Sequence, residues 1–108
     1  MKMQTQDHET YQVLEIGGRF DAHETQAFRT TVDTLLEKPA TTLKIDLSSV
    51  VFADSSALAE LLRATRRASE TGRSLILLNL SDPMQIILEM TALESAFQIE
   101  RVSLTPTQ

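Results

Sequence analysis

Between Leu43 and Leu80 the chain reads strand, helix, strand, and this unit narrows the possible folds more than any other feature of the sequence. Leu43 to Leu47 (LKIDL) alternates apolar and polar residues, as a half-buried strand does. Ser48-Ser49 interrupts that run, and Val50-Val51-Phe52 resumes it. Asp54-Ser55-Ser56 then opens a helix. Leu58, Leu61, Leu62, Thr65 and Ala68 share its inward face, and Glu60, Arg63, Arg66, Arg67 and Glu70 point the other way. Gly72 is placed as the left-handed residue that ends it. Ser74 to Leu80 (SLILLNL) is almost wholly apolar, which predicts a strand buried on both faces. A strand–helix–strand unit makes parallel neighbours joined by a right-handed crossover.

The flanks extend the same alternation. Tyr11 to Ile16 (YQVLEI) predicts a strand, which Gly17-Gly18 ends or bends. The polar segment 2–8 before it fits an antiparallel edge strand. His23 to Glu37 predicts a helix, because Phe28, Val32, Leu35 and Leu36 fall at i, i+4, i+7 and i+8. Pro39 closes it. A third helix starts at Asp82-Pro83, with Asp82 as N-cap and Pro83 in the first helical position. Met84, Ile87 and Leu88 form its buried side. Phe97 to Val102 (FQIERV) predicts a last strand, and Leu104 to Gln108 a frayed tail. The expected fold class is α/β: a small mixed sheet of four to five strands with a parallel βαβ core, packed by three to four helices. Residues 1–108 are read as a single domain, since domains cluster at roughly 100–150 residues.

Charge and composition remove several function classes. Ten Lys+Arg against fifteen Asp+Glu give a net charge of −5, which a phosphate backbone would repel, so no direct nucleic-acid partner is expected. One Tyr and four Phe offer too few stacking platforms for bases. There is no cysteine, which removes disulfides, thiol catalysis and cysteine metal sites. No apolar run reaches the roughly 18 residues of a membrane span, and the polar start does not resemble a secretory signal. A cytoplasmic location without membrane insertion is the expectation.

Open α/β sheets place their functional groups beyond the carboxyl ends of the strands. Here that edge carries Asp21, Asp54, Ser55 and Ser56. Capping is the ordinary role of Ser at a helix start, worth typically about 1 kcal/mol. A phosphate-accepting serine is compatible with it, because free N–H groups and the positive end of the dipole tolerate an anion there. Ser55 can cap while Ser56 points outward. Asp54 forms the turn or serves as a second-choice cap, or helps position the hydroxyl or a metal–nucleotide when a kinase docks. Asp54 and Asp21 would both repel an added phosphate, so the modified state would differ electrostatically from the free one.

A nucleophilic Ser56 would need a base, and only His23 could approach it. No oxyanion hole or glycine-flanked elbow is evident, so an enzyme is not expected. Two isolated histidines, His8 and His23, make no metal site. No glycine-rich phosphate loop can be written with three glycines, and no cofactor is expected. Arg63, Arg66 and Arg67 fit a solvated helix face supported by Glu60–Arg63 or Arg66–Glu70 pairs; a docking surface for an acidic partner is the functional alternative.

Ile45 to Leu62 (IDLSSVVFADSSALAELL) resembles the signature of STAS domains, specifically bacterial anti-sigma factor antagonists. Gly18-Arg19-Phe20-Asp21 looks like the turn before that family's first helix. Leu78-Asn79-Leu80-Ser81-Asp82-Pro83 and Ile87 to Leu93 (ILEMTAL) resemble its C-terminal third. The resemblance implies a protein that binds an anti-sigma factor, itself a serine kinase. That kinase would switch the antagonist off by phosphorylating Ser56, and a phosphatase would reset it. It also implies that Asp21, Asp54, Ser55, Ala57 and Arg63 surround the phosphosite or meet the partner. Ala57, Ala59 and Ala92 depart from glycines common in the family. Such alanines also occur in the STAS accessory subunit of a phospholipid ABC transporter, which binds its ATPase without a phospho-switch. That is the alternative function.

Overall fold

The computed structural model describes residues 1–102. Five strands lie in the order β1-β2-β3-β4-β5. They are β1 (Lys2–Asp7), β2 (Tyr11–Phe20), β3 (Thr42–Ala53), β4 (Ser74–Leu78) and β5 (Gln98–Glu100). The helices are α1 (Thr25–Leu36), α2 (Ser55–Glu70) and α3 (Asp82–Thr91), with short 3-10 turns at Ala22–Glu24 and Glu94–Ala96. β1 pairs antiparallel with β2, and every other pairing is parallel.

The strand order explains the layering. Each parallel crossover steps one strand further in the same direction, and right-handed crossovers that all step one way put their helices on the same face. That face holds the core. Leu14, Ile16, Leu43, Ile45, Leu47, Leu75 and Leu77 meet Phe28 and Val32 of α1, Leu58, Leu61 and Ala64 of α2, and Met84 and Leu88 of α3. Among the described residues no helix covers the opposite face.

Several sequence expectations are corrected. Ser48-Ser49 does not break the chain into two strands. β3 runs through them, and its pairing with β2 slips twice, between Glu15 and Gly17 and between Gly18 and Arg19. The extra residues of β3 are absorbed as bulges, which bend a strand without ending it. Gly17 and Gly18 likewise bend β2 rather than end it, with Gly18 at φ +88°. β4 is shorter than Ser74 to Leu80 and is sealed on one face only: Leu75 and Leu77 are buried, Ile76 and Leu78 half-buried. α1 starts later than His23, because a 3-10 turn precedes it. The cap of α3 is Ser81, whose hydroxyl accepts from the Met84 N–H at 3.4 Å, so Asp82 and Pro83 each sit one place further into the helix. On α3, Ile87 is half-buried while Met84 and Leu88 are sealed. The last strand is only Gln98–Glu100, and the expected tail at Leu104 to Gln108 lies outside the described residues.

The charged face of α2 also differs from the expectation. Glu60 is 5 % exposed and is held by Arg29 of α1, whose Nε donates to Oε1 at 3.2 Å. Arg63 reaches Asp33 at 3.0 Å, and Arg67 bridges Asp33 and Glu70. These residues tie α1 to α2 instead of making the i,i+3 and i,i+4 pairs Glu60–Arg63 and Arg66–Glu70. Gly72 ends α2 as expected: it lies at φ +75°, and the Arg73 N–H returns to the Ala68 carbonyl at 2.8 Å.

A buried Gln12, unremarked in the sequence, joins three elements. Its Nε2 donates to the Leu35 carbonyl at 2.9 Å, and its Oε1 accepts from Arg73 at 3.0 Å. One side chain thereby adds a donor to a carbonyl in the last turn of α1, which also accepts from the Lys38 N–H and Arg73, and anchors the entry to β4.

Candidate functional site

The two central parallel strands end in the same device. Phe20, the last residue of β2, is the register partner of Ala53, the last of β3, so Asp21 and Asp54 follow on adjacent strands at one edge of the sheet. Their backbones are almost superposable, at φ −127°, ψ −171° for Asp21 and φ −127°, ψ −172° for Asp54. Each carboxylate accepts the N–H two residues ahead: Asp21 from His23 at 3.1 Å, Asp54 from Ser56 at 2.9 Å. An extended Asp followed by a helical turn satisfies a donor that helix geometry leaves orphaned.

The cap of α2 is therefore Asp54, and Ser55 is not. With its carboxylate already on the Ser56 N–H, Asp54 leaves Ser55 as the first helical residue, exposed and free of that duty. Ser56 is the second helical residue and is half-buried. Its hydroxyl makes no hydrogen bond to any described residue, and it is not among the side-chain atoms sealed from solvent. So both serines lie at the mouth of α2, and of the two caps the sequence offered, Ser55 first and Asp54 second, the structure uses Asp54.

Asp21 carries the site's one resolved titration shift. Burial acts to raise its pKa. The hydrogen bond from the His23 backbone and the nearby His23 and Arg19 side chains outweigh burial and hold the carboxyl below the ordinary aspartate range. Arg19 lies 3.5 Å from Asp21 and 4.1 Å above the Phe52 ring, so it links the two strand ends over a half-open aromatic surface. His23 is solvent-facing, with its Nδ1 3.6 Å from Asp21, and no hydrogen bond joins it to Ser56. The arrangement contains no assembled serine–histidine pair.

Two other expected neighbours sit differently. Ala57 is fully buried, packed inward as the first core residue of α2, so its methyl does not face a partner. Arg63 is occupied by Asp33 and lies nearly two turns along the helix from Ser56. The open surface beside the serines is instead apolar: Val51 is 67 % exposed and Phe52 37 %. Nothing in the strand pattern announced them, because the bulges in β3 rotate those residues out of register. No group of three or more acidic or histidine side chains among the described residues could hold a metal. No helix among the described residues is long and apolar enough to cross a membrane.

A five-stranded mixed sheet with its crossover helices on one face, and an Asp-Ser-Ser turn at the mouth of the central helix, defines a STAS domain. The chain belongs to that family: the family model described as "Mlab, STAS domain" matches residues 3–103. An anti-sigma factor antagonist from Mycobacterium paratuberculosis has the same fold, with a TM-score of 0.82 at 19% identity over 95% of this chain and 86% of the other. The antagonist SpoIIAA in its unphosphorylated form gives a TM-score of 0.80 at 20% identity, covering 95% and 90%. The Bacillus SpoIIAA in its phosphorylated form gives 0.74 at 21% identity, covering 95% and 93%. No curated protein matches this chain in sequence.

Proposed function

We propose that this chain is an anti-sigma factor antagonist. In this reading it docks an anti-sigma factor that is also a serine kinase, and phosphate on Ser56 breaks the complex. The observation that carries the reading is the Ser56 hydroxyl at the mouth of α2, on a half-buried side chain, not sealed from solvent and hydrogen-bonded to no described residue. Asp54 holds the Ser56 backbone N–H, which fixes the serine while leaving its oxygen free. A phosphate there would bring roughly −1.5 to −2 charges beside two capping carboxylates. The positive end of α2 offsets part of that repulsion inside the antagonist. A partner surface pressed onto Val51 and Phe52 would have to accommodate a new, strongly hydrated anion beside an apolar contact. Losing about 2.7 kcal/mol of binding would weaken the complex about a hundredfold. SpoIIAA, a structural relative, has been solved in both unphosphorylated and phosphorylated forms.

The test is incubation with the cognate anti-sigma kinase and ATP, followed by mapping of phosphate by mass spectrometry. Modification of Ser56, its loss in Ser56→Ala with binding retained, and weakened binding in Ser56→Asp are expected. Phosphate confined to Ser48, Ser49 or Ser55 would overturn the assignment.

The family description favours one second reading, a STAS accessory subunit of a phospholipid ABC transporter that binds its ATPase without a phospho-switch. Affinity capture separates the two: recovery of an ATPase and permease, with binding indifferent to Ser56→Asp, supports the transporter subunit.

A further inference from the structure

The bare face of the sheet contains a cleft of about 460 Å³, within the size range of small-molecule sites. It is built by an irregularity. Opposite the first slip in the β2–β3 register, β3 carries an extra residue at Ser48-Ser49, and β2 carries Gly17. Gly17 is the floor: a Cβ there would come within 3.3 Å of the Ser49 Cβ, so glycine both permits the bulge and opens the depression. Bulges re-aim side chains beside functional sites, and a glycine inside a strand marks close approach of another group.

The lining is polar and carries both charges. Asp46 of β3 stands on one wall, and its register partner Glu15, about 4.8 Å away on the adjacent strand, rises from the middle strand β2 that also carries Gly17. Lys2 and Gln4 of β1 form the other, with Lys2 opposite Gly17 and Gln4 opposite Glu15. Asp46 accepts from the Ser48 N–H and hydroxyl, at 2.9 and 2.7 Å, which braces the bulge. Lys2, Gln4, Glu15 and Ser49 make no side-chain hydrogen bond or ion pair with any described residue, and Asp46 uses only Oδ1 on Ser48, so Lys2, Glu15 and the second Asp46 oxygen are available to a ligand.

We propose that this cleft binds a small zwitterion, a free amino acid, with its ammonium between Glu15 and Asp46 and its carboxylate on Lys2. A lone amine would leave Lys2 unanswered, and a lone carboxylate would face two carboxylates. Only a molecule bearing both charges a few ångströms apart meets both walls. The site lies on the helix-free face, away from the Asp54–Ser56 turn, and is independent of the phospho-switch.

The test is amide NMR of the full chain titrated separately with glycine, L-serine, putrescine and acetate. Glycine and L-serine should shift the Gly17 and Ser49 amides saturably, with millimolar dissociation constants, while putrescine and acetate should not saturate over that range. Glu15→Gln and Lys2→Gln, both surface changes whose folding thermal melts would verify, should each weaken glycine binding by about tenfold. Overturning results are an absence of saturable shifts, putrescine binding as tightly as glycine, or glycine binding unmoved by both variants.

Discussion

The two faces of the sheet share every strand and almost no chemistry. On the covered face Leu14, Ile45, Leu47 and Leu77 are wholly removed from solvent. On the other face the residues one step along are Val13, Glu15, Lys44, Asp46, Ile76 and Leu78, all half-buried. There Lys44 lies 3.9 Å from Glu100 and 4.8 Å above the Tyr11 ring, an arrangement of long side chains laid over their neighbours. Parallel strands are usually covered on both faces and read as continuous apolar runs. Here three crossovers step the same way, so only one face receives helices, and the strands alternate like those of an antiparallel sheet. Folding free energy is therefore concentrated on one side, which leaves the rim and the bare face free to carry recognition.

Neighbouring substitutions on β3 test that asymmetry most severely. Ile45→Ala deletes a side chain with no exposure and should cost about 2–5 kcal/mol. Lys44→Ala, one residue away on the bare face, should stay within about 0.5 kcal/mol. Urea unfolding of both variants measures the gap, and similar losses would mean the bare face is covered in solution. A smaller effect probes the polar exception within the covered layer. Arg29→Ala strands the Glu60 carboxylate between α1 and α2, at a cost of about 1–3 kcal/mol. The double substitution Arg29→Met with Glu60→Leu should recover most of that loss, since an apolar pair of similar volume avoids the desolvation of charge.

How far the sequence foretells this molecule depends on whether an interaction is local or crosses elements. The core faces of α1 and α2, the glycine stop at Gly72 and the parallel β3–β4 pair follow from periodicity, because each is decided within a few neighbouring residues. The serines at the mouth of α2 are equally legible. Misread features depend on distant partners. Glu60 looks like a solvent-facing residue until Arg29, 31 positions earlier, is seen beside it. Gln12 interrupts an apolar strand for the sake of Leu35 and Arg73. The bulges of β3 exist only relative to β2, so Ser48-Ser49 reads as a break. Ala92 gives no sign in the sequence of its backbone geometry, yet the chain holds it in the left-handed region at φ 58° to end α3. A residue with a Cβ favours that region less than glycine does.

At the rim, where the two faces meet, the twin aspartates allow a finer comparison. Asp54 caps the sixteen-residue α2, whereas Asp21 caps a single 3-10 turn. Asp54→Ala should therefore lose about 0.5–2 kcal/mol in urea unfolding, and Asp21→Ala clearly less. The weakest expected effect is the pH dependence of Asp21. Its carboxyl titrates below the ordinary aspartate value of 3.8 in the folded chain, so the folded state binds its proton less readily than the unfolded state does. The resulting stabilisation is present in full above that ordinary value. It is lost as pH falls from there through the lower folded value, and below both it is gone. Asp21→Asn should thus be less stable than the parent at neutral pH, with the two unfolding curves converging as the solution is acidified below about pH 3.8. A difference that stays constant down the acid limb would assign the role of Asp21 to hydrogen-bond geometry alone, and would remove charge from the account of this rim.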